Sequence, residues 1–145
     1  MIALVLATCL AFWPCGSNGL GTLPTDGRVK VVNSSNYPIR LNLKAAQQQW
    51  NSCGVLTLYK GNGPDFEPGT ITIVRSENPD DWPRGGIYDG HGVVFLPPGG
   101  WAHSKGVLTH EIGHALGFNH TKRDSVMGGR NRVQPIDCEG LRRSY

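Results

Sequence analysis

Three of the five histidines in this 145-residue chain lie close together, and a glutamate follows the first of them. The segment 110–120 reads HEIGHALGFNH. Residues four apart lie on one face of a helix, so His110 and His114 can bind the same metal ion. Glu111 is rotated by about 100° from His110 along a helix. It would therefore point beside the metal, where a base can act on a metal-bound water.

The third histidine, His120, requires a turn in the chain. It follows His114 by six residues, a spacing that no helix places on one face. Gly117 lies between them, and glycine adopts the left-handed conformation that ends helices without steric cost. We therefore expect the chain to turn at Gly117 and to return His120 to the metal. Three histidine ligands leave one zinc position open, as in catalytic rather than structural sites.

The surrounding sequence predicts an α/β domain that positions this motif. Hydrophobic periodicity and turn residues predict strands over 28–32, 55–59, 70–74 and 93–96, and helices over 39–50, 105–116 and 135–145. Ser104 is the expected N-cap of the helix that carries the motif. The order of these elements, a strand, a helix, three strands and two helices, predicts the α/β fold class.

The chain begins with an apolar run, MIALVLATCLAFW. It is shorter than the roughly 20 residues that a membrane span needs and fits an export signal better. We divide the chain into an apolar N-terminal segment (1–17), a linker (18–27) and one catalytic domain (28–145). A secreted protein is expected, and anchorage by an uncleaved or acylated N-terminal segment is the alternative. No other membrane contact is expected.

The four cysteines are Cys9, Cys15, Cys53 and Cys138, and none forms a CxxC pair. A zinc site built from cysteines is therefore not expected. If Cys9 is removed with a signal, Cys53 and Cys138 can form a disulfide in an oxidising compartment. Unpaired buried thiols are the alternative, and four cysteines allow three pairings.

The charge of the chain is low, with a formal net charge of +3 and scattered basic residues. This distribution is typical of a solvated surface, and nucleic-acid binding is not predicted. The length suits one compact domain, and we expect a monomer.

The motif HExxHxxGxxH is the signature of the metzincin zinc peptidases, which this sequence resembles. Metzincins place a methionine beneath the three imidazoles as an apolar floor, and Met127 follows His120 by seven residues. The resemblance is strongest to the matrixin branch, in three stretches: segment 110–120, the short interval to Met127, and segment 137–145. It covers about residues 28–145. It implies a zincin-like α+β fold, with a small twisted mixed sheet, an antiparallel edge strand, an active-site helix, a methionine turn and a C-terminal helix.

The resemblance also implies a zinc-dependent endopeptidase that acts on proteins or peptides. One catalytic zinc would be held by the three histidines, and Glu111 would be the general base. The edge strand, which we assign to Val93, Val94, Phe95 and Leu96, would pair with an extended substrate. Segment 127–134 would wall the pocket for the side chain after the scissile bond.

Several matrixin features are missing from the sequence. Matrixins usually carry a second, structural zinc, but only His91 and His103 lie outside the motif, and no His-x-Asp precedes Tyr88. We therefore predict a single zinc. Calcium binding is a weaker expectation. Its oxygen ligands would come from three loop aspartates, a residue type that is usually solvated: Asp80, Asp81 and Asp89.

Two other functions compete with a peptidase. A non-catalytic module of metzincin fold would bind zinc or a peptide without hydrolysis, but the intact Glu111 argues against this alternative. A hydrolase of bacterial cell-wall cross-links shares the zinc chemistry but usually has other ligand spacings. Protein or peptide substrates are therefore preferred.

Overall fold

The computed structural model of the chain describes residues 25–63, 66–81 and 86–145. The predicted segment 1–17 and most of the predicted linker lie outside these ranges. The helices are α1 (Arg40–Asn51), α2 (Lys105–Ala115) and α3 (Pro135–Ser144), with single 3-10 turns at Pro79–Asp81 and Val126–Gly128. The strands are β1 (Arg28–Asn33), β2 (Thr57–Lys60), β3 (Thr70–Arg75), β4 (Ile87–Tyr88) and β5 (Val93–Leu96).

The five strands form one mixed sheet in the order β2-β1-β3-β5-β4. Strands β2, β1, β3 and β5 are parallel to one another, and β4 runs antiparallel to β5, with Ile87 opposite Phe95 and Tyr88 opposite Val94. The predicted α/β class and the antiparallel edge strand are therefore confirmed. The architecture is consistent with a zincin-like fold.

The position of the edge strand was predicted wrongly. Val93–Leu96 lies between β3 and β4, and the antiparallel edge strand is β4. Val93, Val94 and Leu96 are buried, as expected for an interior parallel strand made of consecutive apolar residues. The two residues of β4 are too few to show the alternation that predicts a strand. They adopt the strand conformation because they pair with β5.

Helix α1 packs against α2 through one apolar face, as the hydrophobic periodicity of segment 39–50 predicts. Leu43, Ala46 and Trp50 are buried, with Trp50 fully enclosed. The indole Nε1 of Trp50 donates a hydrogen bond to the Thr109 carbonyl at 2.9 Å, and its ring stacks on Phe118 at 5.4 Å between centroids. Burial of this aromatic pair fixes the motif helix against the rest of the core.

The open question of cysteine pairing is decided by a disulfide between Cys53 and Cys138. It joins the segment after α1 to α3, and the Arg142 guanidinium donates to the Cys53 carbonyl at 3.2 Å beside it. Within the described ranges no helix has the length and apolar character needed to cross a membrane.

Candidate metal centre

The motif helix α2 begins and ends through local capping. The Ser104 hydroxyl accepts a hydrogen bond from the Val107 amide at 3.3 Å, as predicted for the N-cap. At the other end, Gly117 has φ +95° and donates to the His114 carbonyl at 2.9 Å, while the Phe118 amide donates to the Gly113 carbonyl at 3.0 Å. These two bonds form a Schellman motif, which requires the left-handed residue. Gly117 therefore turns the chain, as its position predicted.

The turn brings the three histidines together. His120 Nε2 lies 3.0 Å from His110 Nε2 and 3.2 Å from His114 Nε2. Tetrahedral zinc with Zn–N bonds of 2.0–2.1 Å would separate its ligand nitrogens by about 3.3 Å. Neutral imidazole nitrogens are among the donors that zinc prefers. The donor set and its spacing therefore fit a zinc ion, and these three form the only cluster of potential metal ligands found in the described residues.

Backbone carbonyls orient two of the candidate ligands. His110 Nδ1 lies 2.9 Å from the Val126 carbonyl, and His114 Nδ1 lies 2.8 Å from the Phe118 carbonyl. A carbonyl only accepts, so each Nδ1 carries the proton and each Nε2 keeps its lone pair for a metal. Burial lowers the pKa of His110, and it lowers the pKa of His114 to about 4. Both rings are therefore neutral at pH 7, the state that binds zinc.

Met127 lies against the motif helix, in the turn that follows the third histidine. It is buried, and a Cβ placed on Gly113 would lie 2.5 Å from its sulfur. Gly113, the glycine of the HEIGH segment, is therefore needed for Met127 to approach the helix. Gly128 is equally restricted, because a Cβ there would overlap the Arg123 carbonyl. Sequence reasoning missed both glycines, although a glycine inside a helix is itself a signal of close approach.

Asp137 on α3 supports the methionine turn. Its side chain is fully buried, and Oδ2 accepts hydrogen bonds from the Val126 amide at 3.0 Å and the Gln134 amide at 2.7 Å. Burial raises the pKa of Asp137, and the two amide donors oppose that rise. Because the Val126 carbonyl orients His110, the position of a candidate metal ligand depends on a carboxylate on another helix.

Glu111 is buried beside the edge strand. Only 5% of its surface is exposed, and desolvation raises the pKa of its carboxyl to about 7. A Cβ on Gly86, just before β4, would lie 2.7 Å from Glu111 Cγ. Gly86 therefore contacts the glutamate directly. Gly86 had no predicted role in the site, and the double glycine at 85–86 was the signal that could have identified it.

The remaining predicted site residues lie elsewhere. Asp89 Oδ1 accepts from the His91 and Val93 amides at 2.7 and 2.9 Å, which closes the turn between β4 and β5. Asp80 is exposed in a 3-10 turn, and nothing in the described residues supports calcium there. His103 Nε2 lies 3.0 Å from the Pro97 carbonyl. Within the described part of the chain, His103 belongs to no cluster of potential metal ligands.

Neither a protein-family model nor a curated protein matches the chain. Among solved structures, the chain is similar to high choriolytic enzyme 1, a hatching enzyme zinc-protease from the medaka fish Oryzias latipes. The two share 20% identity with a TM-score of 0.47, over 75% of this chain and 50% of the other. The chain thus spans half the length of the structure it matches. A similarity at this level of identity and TM-score establishes neither the family nor the activity of this chain.

Proposed function

We propose that the protein is a zinc-dependent endopeptidase. The observation that carries the proposal is the convergence of three Nε2 atoms at 3.0 and 3.2 Å, with two rings held in the metal-binding tautomer by backbone carbonyls. His110, His114 and His120 would hold one zinc ion. A buried carboxylate next in sequence to the first ligand then distinguishes a hydrolytic site from a structural one.

The chain's own groups account for the proton transfers of peptide hydrolysis. When bound, zinc supplies a Lewis acid that polarises the substrate carbonyl and acidifies the attacking water. Glu111 takes one proton from that water as its oxygen bonds to the carbonyl carbon. The protonated Glu111 then gives the proton to the leaving amine as the C–N bond breaks, and the carboxylate is restored. Burial favours the protonated form of Glu111, which suits the second transfer, and a nearby dication favours the ionised form needed for the first.

We assign substrate binding to the outer edge of β4 rather than to Val93–Leu96. An edge strand has unpaired backbone groups, which can pair with an extended peptide. Gly86, at the start of this edge, contacts Glu111, so a peptide paired there would lie beside the base. Segment 127–134 remains the proposed wall of the side-chain pocket. Its Arg130 forms an ion pair with Asp124, which reduces the cationic character of that wall.

The matrixin branch and an extracellular location are part of the same proposal. The short interval from His120 to Met127 and the sequence of α3 support the branch. The Cys53–Cys138 disulfide supports an oxidising compartment, because disulfides persist there.

The test is the Glu111→Ala variant. It should keep its zinc and lose cleavage of a peptide mixture by at least about 10²-fold, because general-base catalysis contributes 10²–10⁴-fold. Zinc content is measured by elemental analysis and cleavage by mass spectrometry. Glu139→Ala removes an exposed glutamate on α3 and should cleave like the parent.

A chelator should abolish cleavage by the parent, and zinc should restore it. If the zinc-loaded parent binds peptides but shows no chelator-sensitive cleavage, the non-catalytic binding module is correct instead. Equal cleavage by Glu111→Ala and the parent would reject the role of Glu111.

A further inference from the structure

A cavity of about 980 Å³ lies beside α1, at the ends of β1 and β2. Three exposed cations line it: Arg40, Lys44 and Lys60. Gln47 also lines it, and no carboxylate is among its described lining residues. The lining includes no residue of the HExxHxxGxxH motif, and we call this space the cationic cavity.

The topology brings these side chains to one place. Arg40, Lys44 and Gln47 are spaced by four and three along α1, so they share one helix face. Lys60 is the last residue of β2, which runs parallel to β1. The carboxyl ends of the two strands therefore meet at the same side of the sheet. In open α/β sheets, ligands bind in crevices at the carboxyl ends of the strands.

The positive charge of the cationic cavity is not neutralised within the described chain. Four other basic residues form ion pairs with carboxylates: Lys30, Arg75, Arg130 and Arg143. No such pair is found in the described residues for Arg40, Lys44 or Lys60. Helix α1 also begins without a capping side chain and without an acid in its first turn, so the partial positive charge of its N-terminus remains uncompensated.

Gln47 provides an independent indication of a ligand. It is 7% exposed, and its Nε2 finds no hydrogen-bond partner among the described residues. A buried amide donor without an acceptor costs free energy, and natural proteins rarely leave one. A ligand acceptor in the cavity would give Gln47 Nε2 the partner that the described residues do not provide.

We infer that the cationic cavity binds a small molecule that carries a phosphate or sulfate group. The anionic oxygens accept from Gln47 Nε2 and from the Arg40, Lys44 and Lys60 side chains, which suit such groups. Val32 and Leu43 also line the cavity and keep small exposed apolar surfaces for the rest of the molecule. Its volume lies within the range of small-molecule sites. This binding does not depend on zinc or on peptide hydrolysis.

The experiment titrates inorganic phosphate and, separately, sulfate into the full-length, isotope-labelled protein. Chloride at matched ionic strength is the control, and backbone and side-chain NMR shifts locate the binding. Saturable shifts should appear at Arg40, Lys44, Gln47 and Lys60. Lys44→Gln should weaken binding roughly tenfold, because it removes one charged hydrogen bond. Lys105→Gln, which changes a lysine outside the cavity lining, should change binding less than twofold.

Gln47→Met tests the buried amide, since it keeps the length of the side chain and removes the donor. It should weaken phosphate binding, while Gln48→Met on the exposed side of α1 should not. If Gln47→Met does not fold, the double variant of Lys44→Gln and Lys60→Gln replaces it. Tighter binding of phosphate than of sulfate identifies a phosphorylated ligand, and the reverse order identifies a sulfated one. Shifts that do not saturate, that chloride reproduces, or that Lys44→Gln leaves unchanged would overturn the inference.

Discussion

The proposed zinc ligands depend on backbone groups outside their motif. His110 is oriented by the Val126 carbonyl and His114 by the Phe118 carbonyl. The Val126 amide is held in turn by Asp137. The ligand geometry is therefore set by hydrogen bonds that run from α3 through the methionine turn to α2. Groups of this kind tune affinity without touching the metal.

Glycines also matter at the scale of single residues, because they leave room for side chains of the candidate site. Gly113 admits Met127, and Gly86 admits Glu111. In both cases a methyl group would occupy the position of the neighbouring side chain. The cost of substitution is then a displaced group rather than an altered backbone.

We predict that Gly86→Ala impairs cleavage without loss of zinc. The added Cβ would lie 2.7 Å from Glu111 Cγ and 2.9 Å from Cδ, so the carboxylate must move. A misplacement of about 1 Å can cost on the order of 10²-fold in rate. The measurement is kcat/KM on a peptide substrate, together with zinc content. Gly100→Ala is the matched control, because a Cβ there meets no atom within 4 Å. Parental kcat/KM in Gly86→Ala would show that the contact does not position Glu111.

At the scale of elements, α2 is held at its middle and at its C-terminal end by other parts of the chain. Its middle receives Trp50 from α1, and its C-cap residue Leu116 accepts a hydrogen bond from the Tyr145 hydroxyl at 2.9 Å. Tyr145 has no catalytic role in the proposal, but it connects the segment after α3 to the end of the motif helix.

We predict a stability change that depends on pH for Tyr145→Phe. Burial raises the pKa of the Tyr145 hydroxyl above its usual 10. Above pH 10 the folded protein therefore retains a proton that the unfolded chain loses, and stability falls as pH rises towards the folded-state pKa. The phenylalanine variant should be about 1 kcal/mol less stable at pH 7, because one hydrogen bond is lost. It should also lose less stability than the parent between pH 10 and 11.

The measurement is urea unfolding at pH 7, 10 and 11. Tyr59→Phe is the control, because no hydrogen bond of the Tyr59 hydroxyl occurs in the described contacts, and it should behave like the parent. Identical pH dependence in the parent and Tyr145→Phe would contradict the assignment.

At the scale of the whole molecule, the disulfide connects parts of the core that are distant in sequence. Cys53 and Cys138 are 85 residues apart, and the loop between them contains the whole zinc motif. Closing a loop of this length removes much of the conformational freedom of the unfolded chain. The bond therefore stabilises the domain that contains the candidate metal centre, although neither cysteine belongs to the histidine cluster.

We predict that replacing both cysteines with serine lowers the free energy of unfolding by roughly 2–5 kcal/mol. Urea unfolding of the zinc-loaded proteins provides the measurement. The single variant Ser52→Ala removes a nearby exposed hydroxyl and should leave the free energy within about 1 kcal/mol of the parent. An unchanged free energy in the double variant would mean that the bond contributes nothing to folding.

Local patterns in the sequence determined most of the elements and the cluster of three histidines. The spacing of His110 and His114, the turn at Gly117 and the apolar face of α1 depend on residues within a few positions of one another. Helix and turn geometry alone therefore predicts them. The interior strand β5 was likewise found from its composition, although its place in the sheet was not.

Only the tertiary structure decided the features that join distant segments. The pairing of β4 with β5, the contact between Gly86 and Glu111, the support of Val126 by Asp137, and the choice of Cys53 with Cys138 each require two segments to meet. Such contacts leave no period in a single sequence. The cationic cavity belongs to the same group, because α1 and the ends of two parallel strands must pack before its charges share one space.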